Sequence, residues 1–298
     1  MDFTRPQQHQ AGATGADVPA AARGLAGTAA GPVRWRRVVS LGDSFTEGLW
    51  DVPDGAAAGT DAVVVCRGWA DLLAAHLAER TPPEGDGPLR YANLAVRGRL
   101  LGDVLREQLP AALELRPDLV SLVAGGNDLL RPSGDPDALA ARLDRAVARL
   151  RAAGADVLLA TGMDTRHSPV IRRTRGRTGV FNAHIWSIAR RRGAYVVDVW
   201  GMRSLHDWRM WADDRIHLTT EGHRRVAQAA LVALGLPPDD AAWDDPLVPL
   251  PPLPRAARAR ADARWLRAYA SPWVARRLRG QSSGDGRPPK RPDLLPVE

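Results

Sequence analysis

The sequence predicts a doubly wound α/β domain on a parallel sheet of five strands. Two observations predict it. Short apolar runs without strict polar–apolar alternation recur along the chain, as expected of strands covered on both faces. Between them lie stretches of helical length rich in alanine and leucine, so strand and helix alternate as parallel crossovers require.

The strand candidates are 37–41 (RVVSL), 91–95 (YANLA), 118–124 (DLVSLVA), 156–161 (DVLLAT) and 194–199 (AYVVDV). Helix candidates are 68–80, 101–115, 136–153, 178–192 and 220–234. Asp135 before Pro136 and Thr219 before Thr220 and Glu221 supply helix starts; Gly154 and Gly193 supply stops. Right-handed crossovers place the loops that follow the strands at one edge of the sheet, where chemistry is to be sought.

Around this zone, 33–236, two others are predicted. Residues 1–32 are rich in Ala, Gly and Pro and read as a disordered leader. Residues 237–298 read as a Pro/Arg-rich tail with a basic aromatic helical segment at 255–279. The leader lacks the charged-then-apolar order of a secretory signal, and no run approaches the ~18 apolar residues of a membrane span. The expected location is the cytoplasm.

Composition excludes several chemistries. The 298 residues carry 41 Lys+Arg against 34 Asp+Glu, a formal charge of +7, and Lys290 is the only lysine. The globular zone therefore offers neither a Schiff-base lysine nor a G-x-x-x-x-G-K-[ST] phosphate loop. Cys66 is the only cysteine, which rules out a disulfide framework and multi-cysteine metal sites. No metal or cofactor is expected.

The first strand runs into Gly42-Asp43-Ser44-Phe45-Thr46-Glu47-Gly48. A serine just past a strand, at a helix start, sits where backbone N–H groups favour developing negative charge. Its hydroxyl needs a base. Asp214 and His217, three apart before the last helix, supply an imidazole and a carboxylate to orient it; Asp164 and His167 offer the same spacing after the fourth strand. His223 reads as a capping or packing residue. Oxyanion donors are available after the second strand at Gly98, and after the third in Gly125-Gly126-Asn127-Asp128.

Together, Gly-Asp-Ser, the glycine after the second strand, Gly-x-Asn-Asp and Asp-x-x-His resemble the SGNH (GDSL) hydrolases, in family order over residues 38–223. The chain looks most like the lysophospholipase-L1-like, intracellular actinobacterial branch of esterases and lipases. The resemblance implies a flavodoxin-like three-layer αβα sandwich. It implies Ser44 as nucleophile, His217 as general base and then acid, and Asp214 as its orienting partner, in preference to Asp164 and His167. The N–H groups of Ser44 and Gly98 and the side chain of Asn127 would form the oxyanion hole.

Arginines cluster near the expected site: Arg97, Arg131, Arg166, Arg172 and Arg173 follow the second to fourth strands. They are predicted to rim the pocket, where a guanidinium suits an anionic ester or thioester. The expected reaction is hydrolysis of a small-molecule ester or thioester through an acyl-serine. The alternative comes from 255–279, with eight arginines, one aspartate, and Trp265, Tyr269 and Trp273 interleaved. It could touch an anionic membrane surface or another polyanion, or pack its aromatic stripe of Leu266, Tyr269 and Trp273 on the catalytic domain. Nucleic acid is not expected as the partner, and the sequence does not indicate an oligomeric state.

Overall fold

The computed structural model describes residues 33–52, 66–82, 87–168, 171–251, 254–279 and 281–297. The predicted leader and most of the loop 49–67 lie outside the described residues.

Five parallel strands form where the apolar runs predict them: β1 (Arg37–Gly42), β2 (Arg90–Asn93), β3 (Leu119–Val123), β4 (Asp156–Ala160) and β5 (Tyr195–Val197). A sixth, β6 (Arg291–Pro296), pairs antiparallel with β2, giving the order β5-β4-β3-β1-β2-β6. The first five strands have the flavodoxin-type order, in which the switch point lies between β1 and β3. Both sheet faces are covered. Val38, Leu119 and Leu158 point into one core and Val39, Val120 and Leu159 into the other, which follows from the two-residue repeat of a strand.

The helices run in chain order between the strands. After β1 come α1 (Ser44–Glu47) and α2 (Trp69–Glu79). After β2, α3 (Leu101–Asp103) passes through a π-helical turn, Val104–Gln108, into α4 (Leu109–Glu114). Then follow α5 (Gly126–Leu129), α6 (Pro136–Ala152), α7 (Arg175–Arg192) and α8 (Thr220–Ala233). Helices α2 and α8 cover one face; α4, α6 and α7 cover the other. Asp135 caps α6 through the N–H groups of Asp137 and Ala138, and Pro136 sits where no donor is needed. Thr219 caps α8 and Gly193 ends α7 in the left-handed conformation.

The C-terminal region departs from the expected tail. Helix α9 (Arg255–Trp265), a π-helical turn Leu266–Ala270 and α10 (Ser271–Leu278) follow one another without a break. Pro272 lies inside this run. The wider π turn before it accommodates a residue that cannot donate a backbone hydrogen bond. The inward face differs from the expected stripe at its first position: Trp265 is buried and Tyr269 half-buried, whereas Leu266 is 59% exposed. The Trp273 side chain lies outside the described residues. Strand β6 carries Pro292 and Pro296, which an outermost strand tolerates because half of its N–H groups face away from the sheet.

Candidate active site

Ser44 is the first residue of α1, directly after β1, at the carboxyl edge of the sheet. Its turn is fixed from several sides. Asp43 caps α1 by accepting from the Phe45 N–H at 3.1 Å. The Gln108 side chain, on the π-helical turn, accepts from the Gly42 N–H at 2.8 Å and donates to the Gly42 carbonyl at 2.9 Å. A Cβ on Gly42 would lie 2.5 Å from the Val123 carbonyl oxygen, so the β1 and β3 backbones approach as only glycine allows.

The loop before α8 folds back onto this turn. His217 Nε2 lies 2.8 Å from Ser44 Oγ, and His217 Nδ1 lies 2.6 Å from Asp214 Oδ2. The second carboxylate oxygen of Asp214 accepts from the N–H groups of Ile216 and His217, each at 3.0 Å. Both oxygens of this 4%-exposed carboxylate thus accept from the histidine and its loop. Burial alone would raise the Asp214 pKa, but the charge and hydrogen bonds of His217 hold it at about 2. Burial alone would lower that of His217, but the facing Asp214 carboxylate keeps it above the usual histidine value. An imidazole held this way has its tautomer fixed by the carboxylate and presents Nε2 to the Ser44 hydroxyl.

The other predicted positions are near. The Asn127 amide donates to Asp43 Oδ2 at 3.2 Å and to the Arg99 carbonyl at 3.1 Å, tying the loops after β1, β2 and β3 together. Burial pushes the Asp43 carboxyl up to about 6, against the lowering effect of the Phe45 N–H. The loop carrying Gly98 stays alongside β1: the Val96 N–H donates to the Gly42 carbonyl at 3.3 Å.

Of the competing pair, Asp164 is taken up by Arg175, which donates to it through Nε at 2.6 Å and Nη2 at 3.1 Å; the His167 side chain lies outside the described residues. His223 is buried, accepts from the Trp69 N–H at 3.3 Å and faces the Leu49 carbonyl. Burial lowers its pKa to about 4, so it packs as a neutral imidazole.

Next to Ser44 and His217 opens a cavity of about 170 Å³ over the ends of β3 and β4. Its wall is mainly apolar, with Phe45, Ala124, Leu129, Met163, Ile171 and Phe181 among the lining residues. The arginine rim needs correction. Arg97 is 2% exposed and locked to Glu47, so it is part of the interior rather than the rim. Arg131, Arg166, Arg172 and Arg173 are exposed and none lines the cavity; the connection after β4 contributes Ile171, Thr174 and Thr178 instead. Guanidinium groups stay hydrated while the apolar members of the same segment turn inward.

Four contacts join the C-terminal helical segment to the rest of the domain. The Trp265 indole N–H donates to the Asp214 carbonyl at 3.0 Å, Arg215 stacks on the Trp265 ring and pairs with Asp262 at 2.7 Å, and Tyr269 meets Trp50 edge-on. The C-terminal helical segment therefore buttresses the loop that carries Asp214, with most of its arginines outward.

The profile of the GDSL-like lipase/acylhydrolase family matches residues 40–225. The chain belongs to this family. It is an SGNH-type, ester-hydrolysing enzyme. No curated protein sequence matches it. Among solved structures it is similar to LAE5, an alpha/beta hydrolase enzyme from the metagenome of Lake Arreo, Spain, at 28% identity and TM-score 0.54, over 70% of this chain and 97% of that one. It is similar to TesA at 25% identity and TM-score 0.50, over 66% and 97% of the two chains. Its fold also matches Axe2, an acetylxylan esterase from Geobacillus stearothermophilus, at 20% identity and TM-score 0.53, over 67% and 94%. Among the described residues, no helix of this family member is long and apolar enough to cross a membrane.

Proposed function

We propose that the protein hydrolyses carboxylic esters of a medium-length acyl chain through an acyl-serine intermediate. The observation that carries this reading is the unbroken line Asp214–His217–Ser44, at 2.6 and 2.8 Å, opening onto an apolar cavity. Ser44 Oγ attacks the ester carbonyl carbon as His217 Nε2 takes its proton. The carbonyl oxygen becomes an oxyanion, met by the N–H groups of Ser44 and Gly98 and by the Asn127 amide, which gives up its bond to Asp43 or to the Arg99 carbonyl to reach it. Collapse of the tetrahedral adduct expels the alcohol, or the thiol of a thioester, with the proton that His217 returns. Water then repeats the sequence on the acyl-enzyme, with His217 again as base. Asp214 keeps the Nδ1 proton of His217 in place and stabilises the imidazolium.

The apolar cavity supports an acyl chain as its occupant. Its walls offer little to a charged group, and each methylene that leaves water gains about 0.8 kcal/mol. For p-nitrophenyl esters, kcat/KM should rise roughly fourfold per added methylene beyond acetate until the cavity is filled. Ala124→Leu should move the optimum to shorter chains, because Ala124 lines the cavity. A flat response to chain length, or an optimum unmoved in that variant, rejects the acyl assignment.

A further inference from the structure

The chain's only lysine lies in the predicted tail, at residue 290, yet its side chain is 9% exposed. Its ammonium meets four acceptors, at 2.5 to 2.7 Å: the carbonyls of Glu47, Cys66 and Arg67 and a carboxylate oxygen of Asp71. Glu47 is the last residue of α1, the short helix that begins at Ser44. The preceding carbonyl, of Thr46, accepts from Asn93, which also donates to Asp71. The far end of the nucleophile's helix is therefore held by a buried ammonium delivered from the C-terminus.

Glu47 extends this contact to the neighbouring loop. Its carboxylate accepts from the Arg97 backbone N–H at 2.6 Å and from Arg97 Nε at 2.8 Å, with Arg97 Nη2 on the same oxygen as Nε. Both the peptide and the side chain of the residue before Gly98 are thus fixed by one carboxylate. The segment that carries Lys290 also closes over the loop from outside. A Cβ on Gly98 would fall 1.9 Å from Ser282 Oγ, and one on Gly284 would fall 1.9 Å from the Arg97 carbonyl oxygen. Strand β6 then secures the segment along β2, where Arg291 Nε donates to the Tyr91 carbonyl at 2.9 Å.

We infer that residues 281–297 form a strap that sets the oxyanion site, with Lys290 as a positioning residue acting through Glu47 and Arg97 on the Gly98 N–H. The inference rests on the acyl-serine reading above. The physical requirement is distance. Oxyanion donors act only when aimed at where charge develops, and a misplacement of about 1 Å costs up to about a hundredfold. Lys290 touches neither substrate nor reacting atoms, so it should affect the transition state and leave ground-state binding alone.

The test is Lys290→Met in the full chain, with folding followed by circular dichroism and thermal melting. For a p-nitrophenyl ester of optimal chain length, kcat should fall about tenfold or more, with KM within about twofold. Affinity for an alkyl boronic acid, whose tetrahedral anion mimics the adduct, should fall in parallel. Lys290→Arg, which keeps charge and donors, should recover part of the loss. A folded K290M enzyme with unchanged kcat overturns the inference, as does a rise in KM at constant kcat. Should K290M fail to fold, Glu47→Gln carries the same test: lower kcat at constant KM supports the strap and unchanged kcat overturns it. A wild-type protein without esterase activity would instead refute the acyl-serine reading itself, and the strap with it.

Discussion

Ser44→Ala should lower kcat/KM for a p-nitrophenyl ester by about 10⁴- to 10⁶-fold, to the level of catalysis by binding and oxyanion stabilisation alone. The fold should survive. Ser44 contributes its backbone to the start of α1; among the described residues its side chain bonds His217, whose ring lines the cavity, so alanine frees Nε2 at a position water can reach. His217→Ala should cost nearly as much, because a serine hydroxyl without a base is a weak nucleophile. The double variant should be little worse than either single one, since the two groups act as a unit. Steady-state kinetics on the three variants check this. Retention of more than a small fraction of activity in Ser44→Ala would place the chemistry elsewhere.

The second large effect is at Asp214. Asp214→Asn should lower kcat by about 10⁴-fold while leaving KM nearly unchanged, because an amide favours the wrong imidazole tautomer and cannot stabilise the imidazolium. The pH profile gives an independent sign. His217 must be neutral to take the serine proton, so wild-type kcat/KM should rise with pH through a pKa raised above the usual 6.5. Removing the carboxylate removes the main raising influence and leaves burial, which lowers the pKa. The acid limb of the residual activity should therefore move to lower pH. A limb that stays in place in Asp214→Asn would mean that another carboxylate governs His217; Asp43 is the candidate, because it also raises the His217 pKa and has a pKa of about 6 itself.

The parts of the structure that were legible in the sequence are those encoded locally. The five parallel strands announce themselves as apolar runs because both of their faces are buried. The helices between them carry caps within a residue or two of their ends, as at Asp135 and Thr219. The site-bearing loops could be placed because strand ends and crossover handedness locate the working edge of the sheet.

What was missed depends on partners far away in the chain. Arg97 reads as a loop arginine until Glu47, 50 residues earlier, is folded beside it. Strand β6 reads as a proline-rich end, because nothing in RPDLLP reveals that β2, about 200 residues earlier, has an unpaired edge. Trp265 and Leu266 are adjacent, and only the docked helix decides which of them is buried. Lys290 did carry a signal of its own. In a chain whose other 40 cations are all arginine, one lysine marks a place where a compact ammonium serves better than a planar guanidinium. Three backbone carbonyls and a carboxylate converging on one point suit such a group.

The central claim is that Ser44 is the group that becomes acylated. Its most direct test is labelling of the full chain with a fluorophosphonate, followed by peptide mass spectrometry. A single adduct on Ser44 is expected, formed in step with loss of esterase activity and absent when His217 is alanine. Full loss of activity with the adduct on any other residue, or undiminished activity after Ser44 is fully labelled, would contradict it.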